Sequence, residues 1–236
     1  MGKLHFVAAA LAVSCGVLMA QGQAANVPTF EFGFGVGVAT IDENPLGDTT
    51  GGAAGFGARW NIKDTPVGLE LRCSAESFEL DDLAYADPGL GRWNGVYLDD
   101  GWLTKSDGSL QVLFSLAREN IVSPYVALGF YFADVEVEYE AHAGPFHSDF
   151  SDSIDGGAFV ARLGIDIRAD IFYGRAEVSY VGDVFDDEDG IEDSAQVEVF
   201  ADFGVYLCDN IRLDLFGDYG ADAKNLVTAF GLTFAF

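Results

Sequence analysis

Cysteine and basic residues are scarce in the chain, and each of these scarcities excludes some classes of protein. It contains 3 cysteines, and its 12 Lys and Arg residues stand against 38 Asp and Glu residues, giving a formal net charge of −26. Nucleic acid is therefore a poor candidate partner, because binding its phosphates requires basic surface. A membrane-spanning helix needs about 20 apolar residues. The one long apolar run, at 6–20, is shorter and is interrupted by Ser14, Cys15 and Gly16.

The N-terminal segment has the organisation of a secretory signal peptide. Lys3 precedes the apolar run, and the small residues Gly22, Ala24 and Ala25 surround a plausible cleavage site. We predict a signal peptide at residues 1–24 and a single mature domain at residues 25–236. Cleavage would remove Lys3 and no acidic residue, so the mature domain keeps the acidity of the chain.

Glycine and phenylalanine are plentiful, with 29 and 20 copies, and they occur in segments that alternate with a period of two. In segment 30–38, Phe or Val fills every even position, while Glu or Gly fills the odd ones. That period is typical of β-strands. Ten such segments are predicted, at 30–39, 54–62, 67–76, 110–116, 126–132, 159–168, 175–180, 196–207, 211–218 and 226–236.

The connections between these segments alternate in length. Those after odd segments are long and mostly acidic, whereas those after even segments are short. The long ones are 42–51, 78–108, 140–156 and 182–194, followed by a brief one at 220–224. Short periplasmic turns and longer external loops are typical of outer-membrane barrels. We therefore predict an all-β fold, a transmembrane antiparallel up-and-down β-barrel of ten strands, with eight and twelve strands as alternatives.

Two segments leave the number of strands and the register of one strand open. The link 78–108 contains Asn94-Gly95, a turn dipeptide that favours a small external hairpin, and the count changes by two if this hairpin joins the wall. In the fifth segment Asp134, Glu136 and Glu138 share the even parity of the preceding phenylalanines. Either a bulge re-aims the chain there or the strand has left the membrane.

The polar face of the segments predicts a charged lumen. A closed sheet pairs every backbone group, so its apolar face can meet lipid while its polar face lines the interior. An arginine facing lipid at the midplane would cost about 2 to 4 kcal/mol. Solvated faces of a soluble β-sandwich are the alternative interpretation. The predicted lumen charge network comprises Glu31, Arg59, Glu70, Arg72, Arg162, Asp166, Arg168, Arg175, Glu177, Glu198, Asp202, Arg212 and Asp214.

The final residues resemble the assembly signal of outer-membrane barrels, with Gly231, Phe234 and Phe236 at its glycine and aromatic positions. Pro124-Tyr125, followed by Gly129, is similar to a strand opening common in the broad OmpA, OmpX and OmpW-like (porin-like) barrel group. Ala229 departs from the assembly signal, which usually has a polar residue there. The resemblance implies the outer membrane of a Gram-negative-type bacterium, with the barrel-assembly machinery as a transient partner.

Motifs with catalytic or metal-binding chemistry are weak. The acidic segment 186–193 lacks the spacing of an EF-hand, so a solvated acidic loop is favoured. His147-Ser148-Asp149, with His142 nearby, gives little support for a hydrolytic centre, because sequence neighbours seldom form a triad. Cys73 and Cys208 are expected at different heights of the barrel, so no disulfide is predicted. We expect no catalytic residue, no metal and no cofactor.

Three functional hypotheses remain. The favoured one is a structural or surface-interaction barrel with a charge-filled lumen, monomeric in lipid. Its acidic external loops would meet lipopolysaccharide through divalent cations. The second hypothesis is a small channel or porin for small solutes, because ten strands enclose slightly more room than eight. The third is a hydrolase of the omptin type, although the paired acidic and histidine sites of those ten-stranded proteases have no recognisable counterpart here.

Overall fold

The structure of the chain, a computed structural model, is built from antiparallel β-strands. It describes residues 27–41, 49–80, 83–86, 95–118, 120–143, 146–182, 196–220 and 225–236. The predicted signal peptide, the Asn94 turn and the acidic segment 186–193 lie outside the described residues. No helix in the described ranges is long and apolar enough to cross a membrane.

Eleven strands are described, and ten of them form a closed ring. They are β1 (Phe30–Ile41), β2 (Thr49–Asn61), β3 (Val67–Leu80), β4 (Leu83–Ala86), β5 (Gly95–Ser115), β6 (Val122–Ala143), β7 (Phe146–Ala169), β8 (Phe172–Val181), β9 (Gln196–Cys208), β10 (Ile211–Gly220) and β11 (Asn225–Ala235). Strand β1 pairs with both β2 and β11, and β3 pairs with β5, which closes the sheet. The prediction of a ten-stranded antiparallel barrel is confirmed, and the β-sandwich alternative is wrong.

Strand β4 is the one described strand that lies outside the ring. It pairs antiparallel with β5 from Leu83↔Leu98 to Ala86↔Gly95. This pairing is a small hairpin on the extended end of β5, in the link where the sequence predicts one. The hairpin does not insert between β3 and β5, so the ring keeps ten strands.

The alternation of the sequence becomes the two faces of the barrel wall. On β6 the even residues Leu128 and Phe130 are 48% and 68% exposed, while the odd residues Tyr125 and Ala127 are 2% and 1% exposed. The same division holds on β1, where Phe34 and Val36 face outward. Because the outer face is apolar on every side of the ring, the barrel presents a lipid-compatible belt.

The short turns lie together at one end of the barrel. Asp64 and Asp170 occupy two of them with φ of 57° and 45°, a left-handed conformation that Asp tolerates better than most residues. Arg118, in the β5–β6 turn, donates to the carbonyl oxygens of Ile62 (3.2 Å) and Thr65 (2.9 Å). Partial burial and the neighbouring arginine charges lower the pKa of Arg118 from its ordinary value. This arginine therefore joins two of the short turns.

The long connections at the other end contain far more strand than the sequence predicts. Strands β5, β6 and β7 have 21, 22 and 24 residues, against about 9 to 11 needed to cross a bilayer. Most of the predicted loops 78–108 and 140–156 is therefore regular sheet that extends beyond the apolar belt. The β6–β7 register runs unbroken from Val122↔Ile167 to Ala143↔Phe146. No bulge in this pairing explains why Asp134 shares the parity of the preceding phenylalanines. Asp134 lies on the part of β6 that extends beyond the apolar belt.

Candidate functional site

The barrel interior is the one place where the fold concentrates buried charge among the described residues. Arg59, Glu70 and Asp166 are 4%, 4% and 1% exposed, although each belongs to a strand whose alternate residues are apolar. Pairing of the strands keeps this parity around the ring, as Glu31↔Arg59 and Arg59↔Glu70 illustrate. The polar residues of consecutive strands therefore point into the same interior of the barrel.

Asp166, on β7, is one centre of the network. Its carboxylate lies 2.7 Å from Arg59, 3.3 Å from Arg168 and 3.0 Å from Arg175. Tyr173 also donates a hydrogen bond to Asp166, at 3.2 Å. Arg59 comes from β2 on a distant part of the ring, so this group of contacts crosses the lumen near the end that carries the short turns.

Glu70 and Glu177 form a second centre, one step farther from the short turns. Glu70 contacts Arg162 at 3.0 Å and Arg175 at 3.1 Å. Glu177 contacts Arg72 at 2.6 Å, and two parallel hydrogen bonds join this pair. Such fork-to-fork geometry is the strongest arrangement of an arginine and a carboxylate. Glu70 and Arg72 come from β3, whereas Arg175 and Glu177 come from β8, so these contacts also span the interior.

Arg212, on β10, forms the third centre. It contacts Asp214 at 2.5 Å, Glu31 at 3.3 Å and Asp202 at 3.7 Å. Its guanidinium carbon also lies 3.6 Å from the centroid of the Tyr173 ring, which is a close cation–π contact. Arg168 lies 3.6 Å from Glu31 and so links this centre to Asp166.

Among the described residues, twelve of the thirteen predicted lumen residues form salt bridges with one another. Glu198 does not; it lies farther from the short turns, in the wall of a cavity that most of the other predicted residues also line. The prediction also omitted neutral partners and further charged groups. Tyr125 donates to Glu177, Ser179 accepts from Arg162, and Lys105 lies 3.2 Å from Asp107. Ser179 alternates in step with Arg175 on β8, and this parity is the signal that identifies it.

The interior also contains a cavity of about 260 Å³. One side is a wall of small residues, with Gly35 and Gly55 among them. A Cβ atom on Gly35 would lie 2.7 Å from the ring of Phe216, so glycine is needed for that ring to reach the wall. Because the large side chains come from β3 and β5 to β10, the space remains against β1, β2 and β11.

The residues of the resembled assembly signal lie on β11 and just after it. The Phe236 carbonyl accepts hydrogen bonds from the backbone N–H groups of Thr29 and Phe30, at 2.7 and 3.0 Å. Phe234 stacks on Phe34 with ring centroids 6.4 Å apart, and Gly231 lies against Phe216 on the inner side. These contacts hold the last strand against the first.

The other candidate residues lie outside the ion-pair network. His142 and His147 occupy opposed positions of β6 and β7, and Asp149 lies two residues farther along β7. No group of His, Cys, Asp and Glu there is arranged to hold a metal ion. Cys73 and Cys208 are both free thiols.

A closed ten-stranded sheet with an apolar exterior and a charged interior defines the class of a transmembrane β-barrel. The chain belongs to the outer membrane protein beta-barrel domain family, which matches residues 7–203. This match confirms the resemblance to the OmpA and OmpX-like group.

Solved structures with a similar fold include Ail, the attachment invasion locus protein of Yersinia pestis, at 13% identity, covering 89% of this chain and 100% of that chain with a TM-score of 0.36. The outer membrane protein OprG of Pseudomonas aeruginosa is 13% identical, covering 89% and 98% of the two chains with a TM-score of 0.40. The transport unit of the autotransporter AIDA-I of Escherichia coli is 8% identical, covering 93% and 94% with a TM-score of 0.46. No curated protein matches the sequence. Sequence identities and TM-scores this low support no inference about activity.

Proposed function

We propose that the protein is a structural or surface-interaction barrel in the outer membrane of a Gram-negative-type bacterium, with a lumen sealed by its ion-pair network. The observation that carries the proposal is the set of salt bridges between distant walls, of which Arg59–Asp166 and Arg72–Glu177 are 2.7 and 2.6 Å long. Breaking one buried pair by removing a partner costs about 3 to 5 kcal/mol. A solute would have to separate several such pairs at once.

We also propose which molecules surround the barrel. Outer-membrane lipid covers the apolar belt, and lipopolysaccharide phosphates meet the acidic strand extensions through divalent cations. Asp134 and Asp155 face each other across β6 and β7, just beyond the exposed ring of Phe132. The signal peptide at 1–24 directs export, the barrel-assembly machinery inserts the domain 25–236, and the inserted barrel is a monomer.

A small-solute channel is the second candidate. The cavity of about 260 Å³ beside the glycine-lined wall favours it, because a short shift of the arginines toward β7 and β8 would lengthen that space into a path. The two candidates differ in one measurable property, the conductance of the resting barrel.

Planar-bilayer recording separates the two candidates. We expect no steady open events from the purified barrel. A variant with Glu70→Ser, Arg162→Ser, Arg175→Ser and Glu177→Ser removes equal numbers of positive and negative charges and should conduct, because small side chains then replace the crossing pairs. The matched control carries Leu69→Val, Leu71→Val, Leu163→Val and Val178→Ile on the outer face of the same strands, and it should stay closed.

The outcomes are decisive provided that each variant migrates as a folded barrel in unheated electrophoresis. Steady open events from the unmodified protein would contradict the sealed lumen and favour the channel. A quadruple serine variant that folds and stays closed would show that other residues block the lumen.

We also propose that the barrel has no catalytic activity. The support is the chemistry of its polar residues, since each of the six arginines of the network is engaged with a carboxylate and these carboxylates are held as ion-pair partners. Peptide or lipid substrates that remain unchanged after incubation with the folded barrel would agree with this proposal. Cleavage that follows the folded protein through purification would favour the omptin-type hypothesis.

A further inference from the structure

The charge of the lumen is divided unevenly along the barrel axis. Near the short turns the six arginines of the network are salt-bridged to six carboxylates. Beyond them the cavity is lined by Glu76, Asp107, Glu198 and Asp218, with Lys105 as the basic residue of that level. The cavity end of the lumen therefore has an excess of negative charge.

Glu76 is the buried carboxylate of this level, whereas Glu198 and Asp218 are partly buried. Glu76 is 5% exposed, and its Oε2 atom accepts a hydrogen bond from Asn225 at 2.8 Å. Lys105 pairs with Asp107 at 3.2 Å. In the described part of the chain, Glu76, Glu198 and Asp218 form no salt bridge. Burial of an ionised carboxylate without an ion-pair partner is costly, so a cation beside these carboxylates would stabilise them.

Two buried oxygen atoms also lack hydrogen-bond donors. Oδ1 of Asp218 and Oδ1 of Asn225 are both buried and have no partner, although their residues line the cavity. Unsatisfied buried acceptors of this kind are rare in folded proteins. They are the atoms that a donor within the cavity would reach.

An aromatic pair lies between this acidic end and the ion-pair network on one side of the cavity, which continues past it. The rings of Phe200 and Phe216 lie 6.2 Å apart, and Phe200 is paired with Asp218 across β9 and β10. Arg72 covers the other side of Phe200, with its guanidinium carbon 4.8 Å from the ring centroid. The cavity therefore combines an apolar floor with carboxylates on two walls, Glu198 and Asp218 on one and Glu76 and Asp107 on the other.

We propose that this cavity is a binding site for a short aliphatic diamine, whose ammonium groups pair with carboxylates of the two walls and whose methylene chain lies on the Phe200–Phe216 pair. The cavity of about 260 Å³ continues past this pair to the level of Arg175 and Arg212, so the diamine would occupy its acidic end. Access is from the end that carries the strand extensions, since the ion-pair network blocks the other end. That direction of access rests on the proposed sealed lumen.

Isothermal titration of the folded barrel in detergent with 1,4-diaminobutane tests the site. We expect saturable binding of one diamine per barrel, with butan-1-ol giving no heat. The variant Glu198→Gln with Asp218→Asn should bind at least about tenfold more weakly, since it loses charge-assisted hydrogen bonds. The control Asp152→Asn with Asp155→Asn removes the same charge from exposed positions of β7 and should bind like the unmodified barrel.

Each contrary outcome has a distinct meaning. Absence of binding to the unmodified barrel would overturn the site and assign a proton to its carboxylates. Equal binding of the diamine and the alcohol would mean an apolar cavity only, and equal weakening in both double variants would mean surface attraction only. Conductance distinguishes the two proposals, because a barrel that binds diamine and also conducts keeps the site and loses the sealed lumen.

Discussion

At the scale of the residue, five of the six arginines in the interior contact more than one carboxylate, and the sixth, Arg59, contacts Asp166. Arg175 is the clearest case, since it reaches Glu70, Asp166 and Glu177 at 3.1, 3.0 and 3.5 Å. Its side chain is 9% exposed, so water does not replace a lost partner. The energetic effect of a buried charge depends on its neighbours much more than on its own type.

Arg175→Met should destabilise the barrel by about 3 to 5 kcal/mol, because the change leaves three carboxylates short of a cation inside the wall. Urea unfolding of the protein in lipid vesicles, followed by electrophoretic mobility, measures this. Phe130→Leu, a change of similar size on the outer face, is the control and should alter stability by less than about 1.5 kcal/mol. Equal effects of the two changes would show that the network does not stabilise the fold.

Parity in the sequence predicts an inward position for many charged residues. Four charged residues of the cavity wall were not in the predicted network, namely Glu76, Lys105, Asp107 and Asp218. Arg72 and Glu177 lie 105 positions apart, and they share a lumen only because each alternates with apolar neighbours on its own strand. Their pairing could not be predicted, since it depends on the stagger of strands around the ring. Tyr125 and Tyr173 were missed because a tyrosine is compatible with either face of a barrel wall.

At the scale of the element, the strands are longer than their apolar pattern. Backbone pairing does not depend on whether a side chain faces lipid or water, so β6 continues past Phe132 through Asp134 and Glu136 without a change in register. Apolar alternation ends at Phe132, so the sequence left open a bulge or a strand beyond the membrane at Asp134 and Glu136, and it predicted a loop at 140–156. Loss of that alternation marks the edge of the lipid belt and not the end of the sheet.

The extended strands should make the surface of the barrel sensitive to divalent cations. Asp134 and Asp155 are directly opposed, and like charges in that position repel each other and the phosphates of lipopolysaccharide. We expect association with lipopolysaccharide vesicles to weaken when a chelator removes magnesium. Asp134→Asn with Asp155→Asn should reduce this dependence, whereas Asp170→Asn in a short turn at the opposite end should not.

Cosedimentation with the vesicles, with and without magnesium, gives the measurement. Association of the unmodified barrel that is the same in both conditions would contradict the role of the cation. An equal change in all variants would place the effect elsewhere on the surface.

At the scale of the whole molecule, the same alternation produces the closed ring, its apolar outer face and its charged interior. The number of strands, the short turns and the closure could be predicted, because each follows from a pattern repeated along the chain. The cavity could not, since it results from the contrast between small residues on β1, β2 and β11 and large ones elsewhere. Such a contrast becomes visible only when the strands are placed around one axis.

The central claim is that lipid contacts the apolar face of the ring while the charges meet inside it. Spin labels test this claim directly in reconstituted vesicles. The labels are attached at Phe130, Leu163 and Leu215 within the apolar belt and at Asp152 beyond it. The two native cysteines are first removed by Cys73→Ala and Cys208→Ala. The account predicts that molecular oxygen relaxes the three belt labels more than a water-soluble nickel complex does, with the reverse order at Asp152. Greater relaxation by the nickel complex at the belt positions would show that water covers that face, and it would contradict the account.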